Sequence, residues 1–192
     1  MSNKKGAIVA IEPSSGELLT LVSAPSYNPN LLVGRERSKN YFELYQDSIY
    51  KPLLDKGLLS TFPAGSPFKI INGLIALEEE VISENSTIYC GGEYIYGRNK
   101  KSMKCHCGGG YRNIYNAISE SCNSYFADSY RKTIGKNNKI SENFNEWSES
   151  VKSFGLGNYL NNDLPIGKKG MIPTSEFYDR WYPDFRWGPT TN

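Results

Sequence analysis

The sequence predicts a mixed α/β (α+β) fold, and three observations predict it. Two β-rich apolar segments near the start are separated by a Pro/Ser/Gly turn. An apolar helix follows a Pro/Gly-rich turn at Ser66, and helical spacing of apolar residues returns between Arg112 and Ile134. At 192 residues the chain can bury one good core, and one domain is the default.

Gly6 to Glu12 reads as a buried strand, Pro13 to Gly16 as a turn and Glu17 to Ser23 as the returning strand, giving a hairpin over 6–23. Ala24 to Asn30 leaves the sheet as an extended loop, and short helices are expected around Asn40 to Ile49. A helix carrying Ser66 is expected within 62–80, with Ile70, Ile71, Leu74, Ile75 and Leu77 buried behind it. Cys90 to Gly110 is rich in glycine and cysteine and reads as irregular. Ile114, Ala117, Ile118, Tyr125 and Phe126 keep helical spacing, with an interruption expected near Ser121. Trp147 to Phe154 is a short amphipathic helix stopped by Gly155-Leu156-Gly157, and 163–192 reads as an extended loop. A lone hairpin is marginal, so two strands and several helices read as the front part of a larger α/β domain.

Composition excludes several classes of function. The net charge is +2 with both signs interspersed, and no basic run carries interleaved aromatics, so no nucleic-acid partner is expected. No apolar run approaches the roughly 20 residues of a membrane span, and no secretory signal stands at the start. Any membrane attachment would need an anchor outside these residues.

Chemistry concentrates first at Phe62-Pro63-Ala64-Gly65-Ser66-Pro67-Phe68-Lys69. Residues i and i+3 of a helix share a face, so Lys69 is expected to reach the Ser66 hydroxyl. A serine in the first helical turn has unpaired N–H groups and the positive dipole end beside it. A lysine with a lowered pKa can then act as base. S-x-x-K recurs at Ser2–Lys5, Ser48–Lys51 and Ser129–Lys132, where a solvated surface pair suffices; what separates Ser66 is the turn before it and the apolar helix behind it. The single histidine, His106, is wedged between two cysteines, which leaves lysine rather than a Ser-His-Asp triad to activate a serine.

A second motif, S-x-N at Ser121 to Asn123, has decoys at Ser26–Asn28, Ser38–Asn40, Ser83–Asn85 and Ser141–Asn143. Taken alone, Ser121 reads as a helix-terminus serine. Order changes the weighing. Val22-Ser23-Ala24-Pro25-Ser26-Tyr27-Asn28-Pro29-Asn30 is followed by Pro52-Leu53-Leu54-Asp55-Lys56, P-x-G-S-x-F-K, S-C-N-S-Y-F, Phe154-Gly155-Leu156-Gly157, Asp163-Leu164-Pro165 and Lys169-Gly170-Met171-Ile172-Pro173-Thr174. This order resembles the transpeptidase domain of class B penicillin-binding proteins, most closely the elongation type (penicillin-binding protein 2), over nearly the whole chain.

The resemblance implies a penicillin-binding protein/serine β-lactamase-like fold and a peptidoglycan D,D-transpeptidase. Ser66 would be the nucleophile on the D-Ala-D-Ala bond of a stem peptide, Lys69 would take its proton, Ser121 would relay a proton to the leaving amine, and Asn123 would bind the substrate amide. β-Lactams would acylate Ser66. The parent protein would be anchored at the periplasmic face of the inner membrane beside an elongation-complex glycosyltransferase. The family's second proline and threonine around the serine are Ala64 and Pro67 here; proline at a helix start is benign. The family's K-[ST]-G strand, which supplies part of the oxyanion hole, is expected after Asn192, since Lys168-Lys169-Gly170 lies upstream of its place. Losing one oxyanion donor costs on the order of 2.7–4 kcal/mol of barrier, so these residues alone are expected to be inactive. A D,D-carboxypeptidase or serine β-lactamase shares this chemistry but passes the acyl group to water. A non-catalytic zinc-stapled interaction module or penicillin sensor is the reading from another class.

Cys90, Cys105, Cys107 and Cys122 form a further constellation. Four thiolates can close a tetrahedral structural zinc site, with His106 as a flanking residue. Disulfides, which an oxidising periplasm favours, and buried free thiols compete with that reading. A metal on Cys122 would brace Ser121 and Asn123 on either side. The aromatic tail of Phe177, Tyr178, Trp181, Tyr182, Phe185 and Trp187 reads as packing rather than as a glycan-binding stripe, because exposed apolar patches are rare.

Overall fold

The structure, a computed structural model, describes residues 4–97, 99–159, 163–164, 166–183 and 187–188. These residues fall into two compact units, one built from 1–62 with 161–168 and the other from 63–160 with 169–192.

In the first unit, β1 (Gly6–Ile11) and β2 (Leu18–Ala24) pair antiparallel, with a register shift between Ala10 and Ile11. Gly16 closes the turn at φ +76°, donating its N–H to Glu12 O at 2.8 Å. The expectation of a buried strand fails here. Ile8, Val9 and Ile11 are about half exposed, since among the described residues no third strand joins this hairpin. Helix α1 (Arg37–Gln46) buries no residue, and α2 (Lys56–Leu59) is capped by Asp55, whose Oδ1 accepts from Gly57 N at 2.9 Å and Leu58 N at 3.1 Å. Among the described residues of this unit Lys56 is the one buried charged side chain, and its ammonium donates to the Lys51 carbonyl at 3.0 Å, which offsets the cost of leaving water.

The second unit holds the core. Helix α3 (Phe68–Glu78) lies against α4 (Ile114–Ser119), α5 (Asn123–Gly135) and α6 (Ile140–Ser153). Glycine at Gly73 keeps that contact close, because a Cβ there would meet Phe126 at 3.3 Å and Ile114 at 3.4 Å. Ile75, Ile134, Phe144, Trp147 and Val151 form one cluster; Ala76, Ile114, Ala117, Tyr125 and Phe126 form another with the four cysteines. Ile70 and Leu74, four residues apart on one face, stay about half exposed, because the helices of this unit cover the opposite side of α3.

Three segments depart from the sequence expectation. The Cys-rich stretch is not irregular: β3 (Ile88–Cys90) pairs with β6 (Gly110–Arg112), and β4 (Glu93–Tyr96) with β5 (Lys101–Lys104). Strands of three or four residues are too short to show a period-2 pattern. Helix α6 begins at Ile140 rather than near Trp147, because Ile140, Phe144, Trp147 and Val151 form a continuous stripe through a polar stretch. The tail contains a helix, α7 (Ser175–Trp181), from which Tyr178 packs on Phe144 with ring centroids 5.3 Å apart, and Trp187 reaches the same ring at 5.4 Å. Phe185 lies outside the described residues.

Candidate active site

Ser66 sits in the turn that launches α3. Gly65 adopts φ +66°, and Phe68 N and Lys69 N donate back to Gly65 O and Ser66 O at 3.1 and 3.0 Å. The helix proper starts at Phe68, so Ser66 precedes it as an exposed turn residue, and Lys69 lies one turn further in, partly buried.

Ser121 sits in the link between α4 and α5. Its N–H donates to Ile118 O at 3.1 Å and that of Cys122 to Ala117 O at 2.8 Å, a Schellman closure with Ser121 at the left-handed position, φ +52°. Glycine usually occupies that position; a side chain there costs roughly 1–2 kcal/mol of backbone strain. What the serine supplies in return is a hydroxyl between the two other groups. Lys69 Nζ donates to Ser121 Oγ at 2.9 Å, to Ser121 O at 2.7 Å and to Asn123 Oδ1 at 2.5 Å. Ser121 Oγ donates to Ser66 Oγ at 3.1 Å. The geometry thus brings together Ser66, Lys69, Ser121 and Asn123, with one difference from the sequence expectation: Lys69 reaches Ser66 through Ser121. Asn123 also donates from Nδ2 to Lys104 O at 2.8 Å, which ties the site to β5; it retains a second N–H and a second lone pair.

Electrostatics suit a proton acceptor. Burial lowers the Lys69 pKa, opposed by negative charge at Cys105, Cys122 and Cys107. Beside Lys69 and Asn123 opens a cavity of about 350 Å³ walled by Phe68, Phe126, Tyr130 and Trp147, and the Trp147 indole is fixed by donating to Asn72 Oδ1 at 3.0 Å. An apolar pocket with a few polar groups at one end is the usual form of a small-molecule site.

The four cysteines converge immediately behind this cluster. All are buried, and their Sγ atoms lie within 4.8 Å of one another. Four pairs of sulfurs fall between 3.1 and 3.6 Å, well beyond a disulfide bond of about 2.05 Å. Tetrahedral ligands about 2.3 Å from a shared metal sit roughly 3.8 Å apart, so the donor set fits a metal ion. The surroundings favour negative sulfur at Cys105. Asn123 N, at the start of α5, donates to Cys105 Sγ at 3.1 Å. Although burial pushes the Cys105 thiol up, hydrogen bonds from the backbone and neighbouring thiols outweigh it and bring its pKa down to about 5, whereas burial drives Cys107 and Cys122 up. His106 lies outside the set, between two of its members.

Sequence reasoning missed the left-handed turn at Ser121, for which a missing glycine after α4 is the only signal. It also missed the roles of the Lys104 carbonyl and of Ser124, whose Oγ accepts from Cys90 Sγ at 3.3 Å.

Comparison with known proteins completes the picture. The family model for the penicillin binding protein transpeptidase domain matches residues 6–189. Peptidoglycan D,D-transpeptidase MrdA of Acinetobacter baumannii is 32% identical over 179 residues, covering 92% of this chain and 25% of that protein. Pseudomonas aeruginosa PBP2, solved in complex with WCK 5153, superposes with a TM-score of 0.81 at 30% identity, over 98% of this chain and 41% of that one. Penicillin-binding protein A of M. tuberculosis, solved as an imipenem acyl-enzyme complex, gives 0.72 at 26% identity, over 89% and 39% of the two chains. The chain therefore spans about a quarter of the length of the curated MrdA relative it matches. With the match running through nearly all of its residues, the chain belongs to the penicillin-binding protein transpeptidase family and groups there with the class B relatives of the PBP2/MrdA type.

Proposed function

We propose that the protein is a peptidoglycan D,D-transpeptidase working through a serine acyl-enzyme on Ser66. The observation that carries this reading is the hydrogen-bonded chain from Lys69 through Ser121 to Ser66, within a chain of this family. Ser66 Oγ attacks the carbonyl carbon of the D-Ala-D-Ala bond and forms an ester as the C–N bond breaks. With Lys69 neutral the chain of donors reverses, Ser66 Oγ donating to Ser121 Oγ and Ser121 Oγ to Lys69 Nζ. The hydroxyl proton thus passes through Ser121 Oγ to Lys69 Nζ, and the same path returns a proton to the leaving D-alanine amine. Asn123 holds the donor peptide through its free amide valences. The amine of a second stem peptide then attacks the ester, forming the cross-link and restoring the Ser66 hydroxyl. A β-lactam carbonyl enters by the same attack, as the imipenem acyl-enzyme of the M. tuberculosis relative exemplifies.

We further propose that Cys90, Cys105, Cys107 and Cys122 hold a structural zinc. When bound, the ion neutralises thiolate charge and cross-links β3, the segment after β5 and the α4–α5 turn. Its four protein ligands leave no position for substrate. The protein is read as acting at the periplasmic face of the inner membrane with a glycosyltransferase of the elongation complex. No helix among the described residues is long and apolar enough to cross a membrane.

The test is to give the full-length protein a stem pentapeptide donor with an amine-bearing stem peptide acceptor. Release of D-alanine together with cross-linked dimer is expected. Release of D-alanine with hydrolysed tetrapeptide alone would replace this reading with a carboxypeptidase. Metal analysis of the same preparation is expected to find zinc equimolar with protein; zinc-free protein of full thermal stability would remove the metal assignment.

A further inference from the structure

We propose that Arg112 and Glu120 form a positioning pair that holds Ser121 in line with Ser66 and Lys69. Glu120 is the residue immediately before Ser121 and forms the C-cap of α4. Arg112 is the last residue of β6, and its Nε donates to Glu120 Oε2 at 2.8 Å. The proposal rests on the acyl-enzyme reading of Ser66.

Three features make this contact more than an ordinary surface ion pair, which is worth little. The first is its place along the chain. Ser121 is held in a left-handed conformation at φ +52°, and the two residues flanking it tie that turn to its surroundings. Cys122 is the inner handle, fully buried in the thiol cluster; Glu120 is the outer one. A shift of Ser121 Oγ breaks its bonds to Lys69 and Ser66 together, since one hydroxyl serves both.

The second is electrostatic. A carboxylate at the C-terminal end of a helix faces the negative end of the helix dipole. Glu120 is therefore placed against the field of α4, and Arg112 supplies the opposing charge. Without the guanidinium, repulsion pushes Glu120 away from the turn whose shape Ser121 depends on.

The third is that Arg112 is itself braced. Its Nη1 donates to the Tyr111 carbonyl at 3.0 Å, and its side chain is only 14% exposed against 39% for Glu120. It passes so close to Gly110, at φ +95°, that a Cβ there would lie 3.3 Å from Nη1. Gly110 pairs with Cys90 across the β3–β6 ladder. The same small sheet thus grips the Ser121 turn twice, through Cys90 in the thiol cluster and through Arg112 on Glu120.

The experiment uses the full-length protein and a fluorescent penicillin, with time courses at several concentrations to separate the binding constant of the initial complex from the acylation rate constant. Arg112→Met is expected to lower the acylation rate constant roughly tenfold, as for a displacement smaller than the roughly 1 Å that can cost about 10²-fold. The initial-complex constant, zinc content and melting temperature should stay at wild-type values. Exchanging the charges in Arg112→Glu/Glu120→Arg is expected to recover at least half of the lost rate. A wild-type acylation rate in Arg112→Met overturns the proposal, and so does a loss that tracks zinc or melting temperature. If Arg112→Met does not fold, Glu120→Gln carries the same test, with a fall of about threefold expected and an unchanged rate overturning it. Labelling that persists in Ser66→Ala, or fails in folded wild type, defeats the acyl-enzyme reading instead; equal labelling of wild type and Arg112→Met at Ser66 defeats the pair alone.

Discussion

The Ser66–Ser121–Lys69 chain and the four-thiol cluster meet at adjacent residues, Ser121 and Cys122, yet they are built in opposite ways. Ser66 and Ser121 are exposed; the Ser121 hydroxyl donates to Ser66 Oγ at 3.1 Å and accepts from Lys69 Nζ at 2.9 Å. Cys90 and Cys122 are completely buried, and every sulfur has neighbours on several sides. Exposed hydroxyls lose little by turning to water, so the polar trio has no rigidity of its own. The buried cluster supplies it, because α5 starts where Cys105 accepts the N–H of Asn123. Reactivity and rigidity are thus separated by one peptide bond.

Four results would break or sharpen that contrast, and they fall in order of size. Lys69→Met removes the proposed proton acceptor and should lower the penicillin acylation rate by about 10²–10⁴-fold, with thermal stability near wild type; a fall of less than threefold in time-resolved labelling would remove Lys69 from the chemistry. Cys90→Ser, whose sulfur is far from the hydroxyls in sequence, should abolish the proposed zinc binding and destabilise the fold by roughly 3 kcal/mol or more. Denaturant unfolding of the variant and of chelator-treated wild type should agree, and an unchanged midpoint in both would make the cysteines ordinary core residues.

The pH dependence follows from the Lys69 shift. Burial lowers its pKa, and the neutral amine is the active form. The acylation rate should rise about tenfold per pH unit on the acid side and level off at a pH below the ordinary lysine value. A profile flat from pH 6 to pH 9 would contradict this role. The smallest effect belongs to Tyr125, whose hydroxyl is buried in the thiol-side core with no partner among the described residues. Tyr125→Phe removes an unsatisfied polar atom and should be neutral or stabilising by up to about 1 kcal/mol; a clear destabilisation in thermal unfolding would reveal a partner for that hydroxyl.

Much of this contrast could be read from residue order. Pro63, Gly65 and the apolar run after Lys69 marked the Ser66 turn, and helical structure on both sides of Ser121 was visible because Ile114, Ala117, Ile118, Tyr125 and Phe126 keep helical spacing. The convergence of Cys90 with Cys105, Cys107 and Cys122 was a matter of chemistry more than spacing, since loop closure across the β4–β5 hairpin is invisible locally. The strands β3 to β6 escaped because three or four residues carry too little periodicity. The relay through Ser121 escaped because i to i+3 spacing says that Lys69 and Ser66 share a face, while the backbone at Ser121 decides which hydroxyl lies between them. The first half of α6 was hidden by polar residues around Phe144, whose burial depends on Tyr178 and Trp187 arriving from the tail.

Intact mass of the full-length protein before and after benzylpenicillin, with Ser66→Ala in parallel, tests the central claim most directly. The account predicts a single stable adduct of one penicillin per chain that is absent from Ser66→Ala. An adduct of equal yield in Ser66→Ala, or none in folded wild-type protein, would contradict it.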